Sequence, residues 1–336
     1  MTDSGTVLVL SDPYDTTADY VVDELNRRGH PVFRCDPGEF PARLSMTARL
    51  GVAWTGSLDL PERTIALADI GCAYYRRPTA FALAEHLGPQ ERRWAQRAAR
   101  RGLGGVLAAL PRWLNHPADI AYAEYKPVQL TAAAAAGLCV APTLITNDPD
   151  QARAFVAEVG TAVYKPLAGG VITEEGVHKL TYANLVAAQD IDDSVRGTAH
   201  LFQAWVPKDH EVRLTVVDGE MFAVRIDGES ENAHRDWRSD YPSLRYSITT
   251  VPVDVSAAVR QLLGRLRLRF GALDFVVGPD GSWTFLEINP NGQWAWLQDA
   301  TGVPIAAALA TAMTTDPSPA IGALPTGDSV QMDSLT

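Results

Sequence analysis

Two carboxylates and an amide sit within fifteen or so residues of each other in GALDFVVGPDGSWTFLEINPNGQWAW, residues 271–296. Asp274 lies in the apolar run 272–277, a Gly-Pro-Asp-Gly turn follows, and the apolar run 283–288 carries Glu287, with Asn289 next. Two such runs around such a turn read as a β-hairpin. Antiparallel pairing brings Asp274 close to the level of Glu287, so three hard oxygen ligands converge at one hairpin end. That donor set suits Mg2+, which prefers oxygen, keeps several waters and needs only one or two protein carboxylates beside the phosphates of a nucleotide. The plain alternative is a surface hairpin with solvated acids. Against it, acids flanked by Leu, Phe, Val and Ile are costly to bury without a partner cation.

A second place with chemical potential is Lys165, at the end of the apolar run 162–164 and just ahead of Gly169 and Gly170. A strand-borne lysine before a glycine-rich turn suits phosphates: the ammonium acts as a point charge and the glycines let the backbone approach closely. No G-x-x-x-x-G-K-[ST] occurs, which disfavours a P-loop enzyme, and no G-x-G-x-x-G follows the first strand, which weakens a dinucleotide reading. Arg225 precedes, and Arg235 and Arg238 lie within, a polar, aromatic segment, 227–246, that reads as a loop over the site with no apolar period to anchor it. Their planar guanidiniums are suited to an acyl phosphate or a peptide carboxylate.

These residues carry a resemblance. Asp274, then Glu287-x-Asn289 on an apolar hairpin, resembles the magnesium-binding end of the ATP-grasp carboxylate-amine ligases. LEINPNGQWAWLQ narrows it, being similar to the C-terminal signature of the ATP-grasp ribosomal peptide maturases, the graspetide synthetases that include the microviridin enzymes. The resemblance implies a three-part ATP-grasp architecture of α/β and α+β parts: an open α/β domain over 1–115, a central lid-bearing domain over 116–199, a metal-binding α+β domain over 200–315, and a mobile tail over 316–336. It implies ATP and Mg2+, with Lys126 and Lys165 on the phosphates, Gly169 and Gly170 in the covering loop, Gln203, Ala204, Trp205 and Val206 as the adenine edge, and Glu211 on the ribose. Arg213 shares the strand face of Glu211, since i and i+2 point the same way; an exposed Glu–Arg surface pair is the plainer account of those two. Arg213, Arg225 and Arg238 are the catalytic candidates.

The implied reaction turns an Asp or Glu side chain of a ribosomal precursor peptide, leader and core, into an acyl phosphate and closes it onto a Thr or Ser hydroxyl or a Lys amine. A ligase adding an amino acid to a peptide or small carboxylate is the nearest alternative, and a non-catalytic ATP-binding protein is the other. A homo-oligomer is compatible with all of these.

The elements that must position these groups follow from periodicity. Residues 6–10, 17–28 and 31–34 read as β-α-β, stopped at Gly29, the opening of an open α/β sheet. A helix over 90–110 carries the basic cluster 92–101, read as a solvated face. Of adjacent Arg76 and Arg77 on a strand, at most one can point into a cleft. A helix over 118–136, interrupted by Pro127, precedes a strand over 140–145; further strands cover 162–166, 200–206 and 211–217, and helices cover 148–159, 256–270 and 305–313.

Composition sets the outer limits. At 336 residues, 46% hydrophobic, the chain is long enough for two or three packed units. A formal net charge of −11 disfavours non-specific nucleic-acid binding. The N-terminus is acidic and no apolar run reaches 18 residues, so neither a signal peptide nor a membrane span is expected, and the cytoplasm is the expected location. Cys35, Cys72 and Cys139 lie far apart, as reduced, mostly buried thiols without zinc spacing.

Overall fold

The computed structural model describes residues 5–167, 171–174, 177–180, 183–230, 237 and 240–315. The chain begins with β1 (Thr6–Leu10), α1 (Thr16–Arg27) and β2 (Val32–Cys35). Asp15 caps α1, accepting from the N–H of Thr17 and Ala18, and Gly29 at φ 69° turns the chain after it. Next come β3 (Ser45–Leu50), β4 (Trp54–Leu60) and β5 (Arg63–Ala66), an antiparallel sheet of their own. Periodicity did not announce this sheet. β6 (Ile70–Tyr75) returns beside β1, and α2 (Pro89–Ala108) leads to β7 (Trp113–Leu114). The parallel sheet runs β2-β1-β6-β7. Cys35 and Cys72 are buried in this part, which pushes their thiols up to about 12 and about 11, whereas Cys139 is exposed.

Pro127 starts a helix rather than interrupting one. α3 (Pro117–Ala123) ends before it, and α4 (Lys126–Ala135) takes it in the first turn, where a missing N–H costs nothing. The expected strand over 140–145 also divides, into β8 (Cys139–Val140) and β9 (Thr143–Thr146), because the chain changes sheets at Ala141-Pro142. α5 (Pro149–Val159), β10 (Ala162–Lys165), β11 (Val171–Glu174), β12 (Val177–Leu180), β13 (Asn184–Val186) and β14 (His200–Ala204) follow. The central sheet runs β13-β10-β14-β9. Its membership corrects the expected division of the chain: β14 pairs with β9 and β10, so a boundary at 199 would cut this sheet, while β8 belongs to the next one.

The third part comprises β15 (His210–Val217), β16 (Glu220–Gly228), β17 (Leu244–Ile248), α6 (Val253–Leu266), β18 (Phe270–Val277), β19 (Trp283–Asn289), α7 (Ala295–Thr301) and α8 (Ile305–Thr314). Its sheet runs β17-β16-β15-β18-β19-β8. Asp218 and Gly219, both at positive φ, close the β15–β16 hairpin in the two-residue turn whose twist matches that of the strands.

The two faces of this sheet have different work. Val212, Leu214, Val216, Leu273, Phe275, Phe285 and Ile288 pack against α4 and α6. On the other face, Val217, Phe222, Val224 and Phe270 share a core with α7, α8 and Trp294, and also with Val7, Val9 and α1 of the first part. First and third parts are thus fused through one apolar core rather than joined by a linker.

Asn115, where a boundary was expected, is the polar staple of that junction. It is buried, donates to the carbonyls of Phe270 (2.8 Å) and Pro290 (3.0 Å), and accepts from the N–H groups of Arg269 (2.8 Å) and Phe270 (3.0 Å). Asn115→Ala strands several buried backbone groups and should lower unfolding free energy by about 3 kcal/mol or more. Denaturant unfolding of the two proteins measures this; an unchanged midpoint would mean that the strand ends pair elsewhere.

Candidate active site

The hairpin β18–β19 is not regular, and its irregularity builds the site. Phe275 pairs with Phe285, yet Asp274 pairs with Glu287, so Leu286 is an extra residue on β19. A β-bulge of this kind re-aims the side chains that follow it. Here it puts Glu287 opposite Asp274, as strand pairing across the turn leads one to expect, and leaves Leu286 lining the adjacent cleft. Asn289, two residues on, shares the face of Glu287.

Cations already meet these acids. Asp274 is buried, and Arg213, its cross-strand partner on β15, donates Nη1 to Asp274 Oδ1 at 2.7 Å. The Lys126 ammonium, in the first turn of α4, bonds the Glu287 carboxylate. Asn289 Nδ2 lies 3.5 Å from Glu287 Oε1, at the outer limit of a hydrogen bond. Among the described residues no group of three or more His, Cys, Asp or Glu side chains gathers as a metal site. Two carboxylates and an amide are nonetheless a donor set that fits a magnesium ion shared with phosphates.

Beside the acids opens a cleft lined by Val163, Lys165, Gln203, Ala204, Trp205, Val206, Lys208, Glu211, Val276 and Leu286. Of the expected nucleotide residues, Lys165, Gln203, Ala204, Trp205, Val206 and Glu211 line this cleft, whereas Lys126 is not among its lining residues. Lys165 Nζ donates to Gln203 Oε1 at 2.7 Å, and Gln203 Nε2 donates to Thr143 Oγ1 at 2.9 Å. The adenine edge is narrower than expected. The N–H of Ala204 is bonded to Pro142 O at 2.9 Å and that of Trp205 to Thr161 O at 2.8 Å, which leaves donation from this edge to Val206. Glu211 is buried rather than part of an exposed pair, and the Lys208 ammonium bonds its carboxylate while lying 5.6 Å from the Trp205 ring centroid. Lys208 gave no signal in the sequence beyond its place in a turn.

Arg225 is the correction. It pairs across the strands with Val212, the face that packs on α6, whereas Arg213 and Asp274 share the opposite face. Its guanidinium binds Asp227 through Nε (2.8 Å) and Nη2 (2.7 Å), with Asp209 at 3.4 Å; the Asp227 hydrogen bond chiefly raises its pKa. Odd and even strand positions decide this, and the register that sets them was not fixed by composition.

Gly169, Gly170, Arg235 and Arg238 lie outside the described residues, as does the tail 316–336. Trp237 is described, and it corrects the reading of 227–246 as unanchored. It is buried, with its ring 5.2 Å from that of Trp296 on α7 and 5.7 Å from that of Tyr241. Together with Tyr246, whose ring lies 5.0 Å from that of Trp296, it holds the segment to the core by aromatic contacts rather than by a period.

The Gly-Gln-Trp stretch acquires a physical reason. A Cβ on Gly292 would meet Ala272 Cβ at 2.6 Å, Arg213 Nη2 at 3.0 Å and Asn289 Cβ at 3.0 Å, so only glycine lets the chain pass the site this closely. Trp294 is fully buried in the shared core. Arg76 is fully buried too and Arg77 exposed, in keeping with their alternation.

Residues 6–121 match the family model of the MvdD pre-ATP grasp domain. No curated protein sequence matches the chain. Among solved structures, a RiPP-associated ATP-grasp ligase of Chryseobacterium gregarium, in complex with ADP and a leader and core peptide, superimposes with a TM-score of 0.86 at 28% identity, over 92% of this chain and 96% of that one. The macrocyclase MdnC of Microcystis aeruginosa MRC, bound with the precursor peptide MdnA, gives 0.82 at 25% identity, over 92% and 98%. The macrocyclase MdnB of the same organism gives 0.78 at 29% identity, over 93% and 100%. With an MvdD-type pre-ATP grasp domain leading into a fold shared along more than nine-tenths of its length, the chain has the ATP-grasp ligase fold and is similar to RiPP-associated ATP-grasp ligases and microviridin macrocyclases.

Proposed function

We propose that this chain binds ATP in the cleft between β10, β14 and β15, uses it to convert Asp or Glu side chains of a ribosomal precursor peptide into acyl phosphates, and closes these onto Thr or Ser hydroxyls or Lys amines. The observation that carries the reading is the placement of Asp274, Glu287 and Asn289 on one sheet face beside a cleft lined by Lys165, Gln203 and Glu211. The reaction belongs in the cytoplasm, where ATP is supplied.

Asp274, Glu287 and Asn289 would hold Mg2+, which supplies charge neutralisation on the transferred phosphoryl group. Lys165 and Gln203 form a polar corner for phosphate and base, and Glu211, steadied by Lys208, accepts from ribose hydroxyls. Lys126 has a double use. Its ammonium pairs with Glu287 and would be released toward a phosphate if that carboxylate takes a metal. Arg213 holds the Asp274 carboxylate in place through its Nη1 hydrogen bond. Arg238, beside the anchored Trp237, is assigned to the peptide's reacting carboxylate. Enclosing both peptide groups makes ring closure intramolecular, with effective molarities of about 10^5 M or more available to well-oriented groups, enough for a hydroxyl to compete with water.

Co-expression with the peptide of a short neighbouring reading frame rich in Thr, Ser, Asp and Glu, followed by intact-mass analysis, tests the reaction. Loss of one water per ring is expected. A gain of one residue's mass would make the protein an amino-acid ligase, and ADP release at background with an unmodified peptide would make it a non-catalytic ATP-binding protein.

Glu287→Gln and Asn289→Ala should each lower ADP release by about a hundredfold or more, since losing a ligand costs at least as much as losing the groups that support one. Circular dichroism of both variants should match the parent, and near-normal turnover at ordinary magnesium would remove these residues from the metal site. Lys165→Ala should weaken nucleotide binding about tenfold, the scale of one charge-assisted hydrogen bond. Calorimetry that finds the affinity unchanged would exclude Lys165 from the phosphates.

A further inference from the structure

In open parallel sheets, ligands bind beyond the carboxyl ends of the strands at the point where strand order reverses. In the order β2-β1-β6-β7 that point lies between β1 and β6, beyond Leu10 and Tyr75. The chain's own segment 291–293 fills it. Arg76, the residue after β6, is fully buried there and donates from Nη1 to the carbonyl oxygens of Asn291 (3.0 Å) and Gly292 (3.1 Å), and from Nη2 to Gln293 Oε1 (3.1 Å). Its Nε reaches Asp15 Oδ2 at 3.2 Å, tying it to the cap of α1. The Asn291 amide donates back to the Arg76 carbonyl, and the Thr17 hydroxyl donates to Gln293 Oε1.

The other side of the same segment touches the carboxylate site. Arg213 donates Nη2 to the Gln293 carbonyl at 3.2 Å while its Nη1 holds Asp274. Gly292 packs within a Cβ's radius of Arg213 Nη2 and Asn289. Three consecutive residues are therefore clamped between two buried guanidiniums, one belonging to the first sheet and one to the metal-facing sheet.

We infer that Arg76 is a positioning residue for the Asp274–Glu287–Asn289 site: through residues 291–293 it fixes Arg213 and Asn289, and so sets the affinity for a metal–nucleotide complex more than for the nucleotide alone. This rests on the proposed function. A lysine at 76 would keep the charge but lose the fork that serves several acceptors at once. A merely structural residue, by contrast, would affect both ligand forms alike.

The test is calorimetric titration of Arg76→Lys with Mn2+–ADP and, in chelator, with ADP alone, with thermal unfolding recorded on the same preparations. Folded R76K should lose about tenfold in Mn2+–ADP affinity, as removal of groups that orient metal ligands does, with affinity for metal-free ADP essentially unchanged. Wild-type affinity for Mn2+–ADP, or equal losses for both forms, would overturn the assignment. Should R76K fail to fold, Gln293→Ala decides instead, because it removes the Nη2 acceptor and leaves the charge; the same selective loss is expected, and its absence would overturn the proposal. Failure of the unaltered protein to bind Mn2+–ADP would count against the proposed function rather than against Arg76.

Discussion

Burying Asp274 is the constraint from which the site follows. A carboxylate enclosed within a central strand stays ionised only if a cation and hydrogen bonds replace the water it has lost. Arg213 provides the cation directly across the strand pair. Breaking such a buried pair by removing one partner costs about 3–5 kcal/mol, because the remaining charge has no compensation. Arg213 in turn needs acceptors, and it finds one in the Gln293 carbonyl. The path of residues 291–293 is thereby tied to the placement of Asp274 and Arg213, and through Gly292 and Arg76 to the first sheet.

The sheet separates two tasks by side-chain parity. From Val212 onward one face of β15, with that of β18 and β19, is apolar and carries α4 and α6. The other is apolar at the end near Trp294 and charged at the end near Glu211, Arg213, Asp274 and Glu287. Strict alternation would have given this face Leu286 opposite Asp274. The bulge inserts Leu286 as a spare and brings Glu287 into position, so the geometry of the acids depends on a one-residue departure from regular pairing.

That Asp274, Glu287 and Asn289 share one sheet face, and that Lys165, Gln203 and Glu211 share one cleft, was legible because the signals are local: an acid in an apolar strand, a lysine before glycines, a Glu-x-Asn on one face. Arg225 and Lys208 were not, since what decides their roles is register and a turn's course, and both depend on contacts distant in sequence. The boundaries failed for the same reason. β8 joins β19 across about 145 residues of chain by parallel addition, and two-residue strands carry no periodicity to read. Arg76 stood out as one of an Arg-Arg pair, but its partners at 291–293 lie more than two hundred residues away. Trp237 and Tyr246 show the converse: aromatic contacts with Trp296 anchor a segment whose average composition argued for exposure.

A chain of net charge −11 that binds an anionic nucleotide must concentrate cations locally. Lys126, Lys165, Lys208 and Arg213 do so, and each is held by a specific oxygen: Glu287, Gln203, Glu211 and Asp274. Held in this way, a long side chain has already lost its rotamer freedom during folding, and its charge is oriented before any phosphate arrives. Preorganised charge stabilises a transferring group more than mobile charge does, because no reorganisation is needed at the moment of reaction. The acids therefore act twice. They offset the cations, and two of them, Asp274 and Glu287, are the groups proposed above to hold a metal, which on binding would release positive charge toward the phosphates.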